Sequence, residues 1–557
     1  MGITNLLPQL KNITTKITLS SSKRRITTLN NEPTTTTNTK RHKPNNYNNQ
    51  QLLRTAIDIS SWIAKACHGH GSELLDERHL SNFGRVELLH EKQLLEANNN
   101  NNNDDNNNND KQNIEDIQNF ISKVCNTVLK RISSLQACLS TDILIVFDGD
   151  TPPMKRICCE QRKKIKNDAA MTRDEVVKSN PNVLVDDDDD NHNNNMMMQS
   201  NLNKISAANK AGAHTNEIYQ AVVNSLLKSL REKKIPFMIS PYEADGQLAY
   251  LSNEGLIDLI ISEDSDFIGH GCKAVLYKYR AEQQQQQQQN GNNKQSSFWK
   301  VTGDLIRRND VNAVNTSFDL SSFSDIMLTI FCVATGCDYC NSLKGIGIKT
   351  AKNVVEEAFQ QKKSKTPKLE LVLDLLFKAC YDKKSLSVED KKRYTDNFIG
   401  ALIMFRHPIV FDPINVTLRF ANYDKPDPEL MTFKPYATIF NDKSKMEQIV
   451  GKLYCTEMAL NVVEGHINPK TWSMFCEDVS ESQDRIRDLL KRWNKETLTL
   501  ESEATETKHN NENNKTGKST LQHGSQSSNG TSSASKFSSQ TSNRSSNTSA
   551  LSPILLA

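Results

Sequence analysis

Residues 235–266 read IPFMISPYEADGQLAYLSNEGLIDLIISEDSD. Two apolar runs, 235–239 and 257–262, are too short for helices and rich in residues that suit a buried, pleated surface. Each run gives way to acids. Glu243 and Asp245 follow the first and open a helical stretch, while Glu263, Asp264 and Asp266 follow the second. Strand, helix and strand in about thirty residues is the repeating unit of a parallel sheet.

Outward from this segment the pattern repeats. TAIDI (55–59), DILIVF (142–147) and AVLYK (274–278) are further short strands, and IQNFISKVCNTVLKRISSL (117–135) and EIYQAVVNSLLKSLREKK (217–234) are helical. The alternation predicts an α/β fold around a buried parallel sheet. From 320 to about 500 the strand signal fades and helices dominate, with no internal repeat. TAIDI carries Asp58, and ILIVF is followed at once by Asp148.

In an open parallel sheet, ligands bind beyond the carboxyl ends of the strands, so four strands would bring acids to one crevice. One Asp after one strand is ordinarily a turn or a helix cap. Four strands ending in acids are different, because clustered carboxylates raise each other's pKa unless a cation lies between them. Hard oxygen ligands suit Mg²⁺ or Mn²⁺. Two such ions, about 3.5–4 Å apart, can activate water and stabilise the leaving oxygen in phosphodiester cleavage.

Two other signals point to nucleic acid. ATGCDYCNSLKGIGIKTAKNVV (334–355) has a helical start, a tight Gly345-Ile346-Gly347 hairpin and a second helix beginning near Thr350. Glycines let a backbone approach closely, and exposed N–H groups there can hold a phosphate. A lone GxG is often just a turn, but Lys344, Lys349 and Lys352 flank this one. Lys155 and Arg156, with Arg162, Lys163, Lys164 and Lys166, form a basic run just after Asp148. Such a run is normally a solvated helix face; beside an acidic crevice it fits phosphate steering.

Composition sets the bounds. The 557 residues carry a net charge of +3 and 36% hydrophobic residues, a low share caused by polar tracts. These lie near 28–50, 97–113, 179–204 and 282–297 and after about 502, and none has the apolar surface to offset its ordering entropy. The third tract includes the acids Asp186–Asp190. No apolar run reaches the about 20 residues of a membrane span. Twelve scattered cysteines suggest thiols in a reduced core, and the pair Cys337–Cys340 lacks the second CxxC or nearby His of a zinc site. Residues 1–31 hold five basic residues and no acid, in the manner of a transit peptide.

FDGDTPPMKR (147–156), SPYEADGQLAYL (240–251), SEDSDFIGHGCK (262–273) and ATGCDYCNSLKGIGIKTAK (334–352) resemble the structure-specific 5′ nucleases, the flap endonuclease family. The PYEAD and EDSD forms, HPIVFDP (407–413) and the opening MGITNL are most similar to the eukaryotic exonuclease 1 branch. The resemblance implies a PIN-like parallel-sheet core with helices on both faces, a helix-hairpin-helix (H2TH-type) module and a helical C-terminal extension. The expected divisions are a nuclease core at 1–275, the module at 299–360, the extension at 361–500 and a disordered tail at 501–557.

It further implies a seven-carboxylate metal site at Asp58, Asp148, Glu243, Asp245, Asp264, Asp266 and Asp338, holding two Mg²⁺ ions for which Mn²⁺ can substitute. A catalytic basic pair falls on Lys155 and Arg162; seven residues are about two helical turns, which would place both on one face. Gly2 would present a processed amino terminus near the site, which argues against cleavage of a transit peptide. Duplex DNA would sit on Ser342, Lys344, Gly345, Ile346, Gly347 and Lys349, with K⁺ near Ser342 and Ile346. Where relatives stack an aromatic or His on the terminal base this chain has Ala64, and Ser60 replaces a frequent aromatic nearby; Trp62 or the loop near His68 and His70 could supply the stack, although Trp62 also suits the core.

The expected activity is a Mg²⁺-dependent 5′→3′ exonuclease on double-stranded DNA with 5′ flap endonuclease activity, acting in mismatch repair and recombination. The expected partners are DNA ends, nicks, flaps and gaps, together with mismatch-repair proteins, for a monomer in the nucleus. The rivals are a dedicated flap endonuclease, a Holliday-junction resolvase, a catalytically silent DNA-binding scaffold, or an Asp-nucleophile phosphatase suggested by FDGD (147–150). The last leaves the hairpin unexplained.

Overall fold

The computed structural model describes residues 3, 6–10, 14–20, 25–29, 54–70, 106–139, 143–156, 158–160, 164, 216–286, 296–312, 318–361, 364–381, 386–475, 486, 488 and 489. The chain divides into two units, Met1–Asn494 and Lys495–Ala557, and every described residue belongs to the first. The expected tail, the 179–204 tract, Gly2 and Arg162 lie outside the described residues.

The centre is an eight-stranded sheet. Its strands are β1 (Thr15–Ser20), β2 (Arg25–Leu29), β3 (Thr55–Asp58), β4 (Ile143–Phe147), β5 (Phe237–Ile239), β6 (Leu259–Ile261), β7 (Ala274–Gln286) and β8 (Ser296–Arg307). They lie in the order β2-β1-β8-β7-β6-β3-β4-β5. The five from β3 to β7 are mutually parallel; β8, β1 and β2 add antiparallel edges. The chain builds from β3 outward through β4 to β5, then returns to the other flank of β3 to lay down β6 and β7. The reversal puts a switch point between β3 and β6, where such sheets bind ligands.

Alternation along the strands makes two cores. Ala56, Leu144, Val146, Met238 and Ile260 face one side, with Leu248 and Phe331 among the side chains packed there. Ile57, Ile145, Phe147, Phe237 and Ile261 face the other. That second face is covered by α1 (Ser60–His70), α2 (Asn106–Leu139) and α3 (Asn216–Glu232). The first is covered by α4 (Ala244–Asn253) and a C-terminal helical layer: α5 (Asp325–Thr335), α6 (Ile348–Gln360), α7 (Lys368–Ala379) and α8 (Val388–Arg406). The mixed α/β architecture, with a mostly parallel sheet and helices on both faces, is the one that strand–helix alternation predicts.

HPIVFDP supplies β9 (Ile409–Asp412), hairpinned to β10 (Thr417–Phe420). Gln247 on α4 exchanges two hydrogen bonds with the Phe411 backbone, 2.8 and 2.9 Å, so a buried amide locks this hairpin to α4.

Regular structure enters the polar tracts further than expected. α2 begins at Asn106, inside the Asn run, because an amphipathic helix anchored by Ile117, Phe120 and Val124 extends N-terminally at little cost once nucleated. β7 continues through Gln286 because β8 supplies a paired edge, and Gln283 bonds Ser297 at 3.0 Å. β8 pairs with β7 in the main sheet, so the sheet runs on past the expected core of 1–275 into the expected module of 299–360. The basic amino-terminal stretch forms the β1–β2 hairpin on β8, with Ile3, Leu6 and Leu10 buried.

Candidate active site

Six of the acids end or follow strands of the sheet, and Asp338 follows a helix. Asp58 ends β3 and is 5% exposed. Its Oδ1 accepts the Ser60 N–H at 3.1 Å, and its Oδ2 accepts the Ser262 hydroxyl at 2.7 Å. Asp148 follows β4, where Gly149 and Asp150 donate backbone hydrogen bonds to Tyr242 and Pro241. Only glycine fits at 149, since a Cβ there would lie 1.9 Å from the Ser240 carbonyl oxygen. That close seam carries Asp148 to the start of α4, where Oδ1 accepts the Ala244 N–H at 2.9 Å and Oδ2 accepts the Ser60 hydroxyl at 2.6 Å.

Glu243 caps α4 and Asp245 lies in its first turn. Asp264 and Asp266 follow β6; Asp264 Oδ1 accepts the Asp266 N–H at 3.0 Å. Carboxylate oxygens of Asp245, Asp264 and Asp266 all lie within 4.8 Å of one another. Asp338 arrives after α5, which ends at Gly336 with φ of +101°. The other acids are tied to this trio through their charges: Asp58 to Asp148 and Asp264, Glu243 to Asp148, and Asp266 to Asp338. Glu263, from the same run, turns away to Lys65 at 2.8 Å.

Lys155 closes a 3-10 turn, Pro153–Lys155, and reaches into the acids. Its ammonium pairs with Glu243 and lies 3.2 Å from Asp338 and 5.9 Å from the Tyr339 ring centre. Burial works against this charge, yet Glu243, Asp338 and Asp245 hold it well above the usual lysine range. Lys155 is therefore no solvated helix face.

The carboxylates are strained electrostatically. Burial, then the Asp148 charge, push Asp58 up to about 7 against the Ser262 hydrogen bond. Burial and Asp264 hold Asp245 and Asp266 well above the ordinary Asp value. Burial also raises Glu243, opposed by Lys155 and by the Tyr339 hydroxyl, which donates to Oε2 at 2.6 Å. Asp266 Oδ1 is buried without a hydrogen-bond partner. An all-oxygen donor set, mutual repulsion and a buried lone acceptor together fit a hard divalent cation.

Four residues at the site were not singled out from sequence. Ser262 ends the β6 run, and Tyr339 lies inside the CxxC. The Tyr219 phenol on α3 sits near Asp148, Ser60 and Asp58; burial and the Asp148 charge push it up. Tyr277, on β7, has a buried hydroxyl without a partner. Their signals were weak because single serines and tyrosines on strands, helices and loops are common in cores. Trp62 is core, 1% exposed and stacked on Tyr279 at 4.7 Å, and Ala64 leaves its own place without an aromatic. His70 bonds Thr127 at 2.9 Å, and His68 is exposed.

At the hairpin, Ser342, Lys344, Gly345, Gly347 and Lys349 are exposed. Ile346 is buried, so only its backbone is available to a ligand. Gly347 begins α6 without a side-chain cap, and a Cβ there would meet open space. Lys352 is committed internally, to Glu356 at 2.8 Å and the Phe323 ring at 6.0 Å. The Cys337 and Cys340 thiols are buried and pushed up by burial, so neither is poised as a thiolate.

Residues 234–338, which hold five of the seven acids, match the XPG I-region family model. The chain is 29% identical over 208 residues to exonuclease 1 of Arabidopsis thaliana, covering 37% of this chain and 24% of that protein. It is 27% identical over 276 residues to exodeoxyribonuclease 1 of Schizosaccharomyces pombe, covering 49% and 38%. The matches thus span about a quarter to two-fifths of these relatives' lengths. Among solved structures, the catalytic core of Rad2 in complex with DNA substrate is 14% identical, with a TM-score of 0.34 and coverage of 71% and 86%.

Proposed function

We propose that this chain, which is similar to exonuclease 1 proteins and matches the XPG I-region, is a structure-specific 5′ nuclease that hydrolyses DNA from 5′ ends, as a 5′→3′ exonuclease on duplexes that also cuts 5′ flaps. The observation that supports this is the close grouping of Asp245, Asp264 and Asp266, with Lys155 paired to Glu243 and Asp338 beside them and Asp58 and Asp148 coupled through their charges.

Asp245, Asp264 and Asp266 would hold divalent metal, with Asp58, Asp148, Glu243 and Asp338 completing the site. Two Mg²⁺ ions, replaceable by Mn²⁺, would supply water activation and stabilisation of the leaving oxygen. Lys155 would meet a non-bridging phosphate oxygen and stabilise its developing charge, and Arg162 would be its partner. Ser60 and Ser262 fix the rotamers of Asp148 and Asp58, so the ligand oxygens are set before substrate arrives. The hairpin N–H groups with Lys344 and Lys349 would hold the uncleaved duplex by its backbone, with K⁺ bound near Ser342 and Ile346. Fraying the 5′ nucleotides into the crevice costs a few kcal/mol, which favours ends, nicks and flaps over intact duplex.

Repair and recombination in the nucleus, as a monomer working with mismatch-repair proteins, is the setting this chemistry suits. The test is cleavage of 5′-recessed, nicked, flapped and four-way-junction DNA with and without Mg²⁺, repeated with Asp266→Asn. Mg²⁺-dependent release from 5′ ends and flaps, abolished by the substitution, is expected. DNA binding without any metal-dependent cleavage would sink the reading, and preference for four-way junctions would turn it to a resolvase.

A further inference from the structure

Tyr381 is 80% exposed, more than any other large hydrophobic side chain described except Val388. It is not a loose surface residue. Its backbone N–H donates to the Lys344 carbonyl at 3.0 Å, and the preceding Cys380 is buried. The ring edge lies against Gly345, where a Cβ would fall 2.0 Å from Tyr381 Cδ2. With φ of +88° as well, Gly345 is glycine for two reasons, the backbone turn and the ring above it. An aromatic from the end of α7 is thus pinned on the hairpin while most of its surface faces water.

Its surroundings say what it meets. Asn341, Ser342, Lys344, Gly347 and Lys349 are exposed on the same hairpin, and residues 341–349 contain no acid. Lys378, one turn back on α7, is exposed too. A basic surface bearing a fixed phenol matches an anionic sugar–phosphate backbone, to which tyrosine hydroxyls are regular hydrogen-bond donors.

We propose that Tyr381 is a duplex-DNA contact, donating its hydroxyl to a backbone phosphate beside the one held by the hairpin. The inference rests on the reading of this chain as a duplex-binding nuclease. Tyr381 thereby widens the DNA footprint from one motif to two elements. The contact reads backbone and not base, so it does not depend on sequence.

The test is fluorescence anisotropy with a labelled 5′-flap duplex in Ca²⁺. Tyr381→Phe keeps the ring over Gly345 and removes only the hydroxyl; its dissociation constant should rise about five- to tenfold. Its unfolding midpoint should match wild type, separating contact from fold. Tyr381→Ala should bind more weakly still. With Tyr381→benzoylphenylalanine, photo-crosslinks should fall on the duplex. Wild-type affinity in Tyr381→Phe, or crosslinks confined to the single-stranded flap, overturns the proposal while leaving the nuclease reading intact. A wild-type chain that binds no DNA overturns both.

Discussion

Ser262 Oγ donates to Asp58 Oδ2 at 2.7 Å across the switch point between β3 and β6. The same oxygen accepts the Asp264 N–H at 3.0 Å, so one hydroxyl sets acids from two strands. Ser262→Ala should leave the fold intact and weaken Mg²⁺ binding about 10- to 100-fold, the usual effect of losing an outer-shell partner. Titrating cleavage against Mg²⁺ checks this. Recovery at high Mg²⁺ is expected, and a defect that no Mg²⁺ concentration relieves would count against it.

Lys155 is the cation that the buried acids surround, pairing Glu243 and lying 3.2 Å from Asp338. Lys155→Ala should lower single-turnover cleavage about 10²–10³-fold, as expected for a group that stabilises transition-state charge. Lys155→Arg should be intermediate, because its wider guanidinium cannot take the same place between Glu243 and Asp338. Near-wild-type rates in Lys155→Ala would remove this residue from the chemistry.

Metal binding should be linked to pH. Burial and the Asp148 charge push Asp58 up to about 7, and Asp245 and Asp266 are raised by burial and Asp264. A carboxyl raised on folding contributes stability that is fully present below its unfolded pKa, 3.8, and is lost as pH climbs through the folded value. Mg²⁺ displaces those protons, so its stabilisation should grow as pH rises through 7. Thermal unfolding with and without Mg²⁺ should show a larger shift at pH 8 than at pH 6, reduced in Asp266→Asn. Equal shifts at both pH values would contradict it.

Two buried histidines should weaken the fold in acid. Burial is the main cause lowering His270 and His407 to about 4 from 6.5, with Arg406 contributing to both. The unfolded chain then takes up protons that the native state refuses, so stability is whole above pH 6.5 and falls towards pH 4. Each residue accounts for on the order of 3 kcal/mol across that window. His407, held by the Ala421 carbonyl and the Tyr436 hydroxyl at 2.9 Å each, is the cleaner probe. His407→Gln should be less stable at pH 7.5 yet lose less between pH 7 and 5 than wild type, by denaturant titration.

How far the sequence reached can be judged strand by strand. Short continuous apolar runs alternating with helical stretches located β3 to β7 and their helices, because burial on both sheet faces demands continuous apolar strands. The acids after β3 to β6 were legible too, because a strand end is a local feature, whereas Asp338, which follows α5, was named only through the family resemblance. The strands β1 and β2 were not legible, since Thr15–Ser20 and Arg25–Leu29 have little apolar surface and owe their shape to pairing, β1 with β8 and β2 with β1. The extension of β7 through Gln286 was hidden for the same reason.

Residue chemistry and local periodicity therefore determined the element types, the oxygen-rich character of the site and the lysines near the hairpin. Only the tertiary structure decided which groups share space. It placed Ser262 on Asp58, Tyr339 on Glu243 and Tyr381 on Gly345, and it withdrew Glu263 and Lys352 from the site. The reason is physical: strand order and loop packing set distances of a few ångströms between residues such as Asp58 and Ser262, 204 positions apart, and no local pattern encodes them.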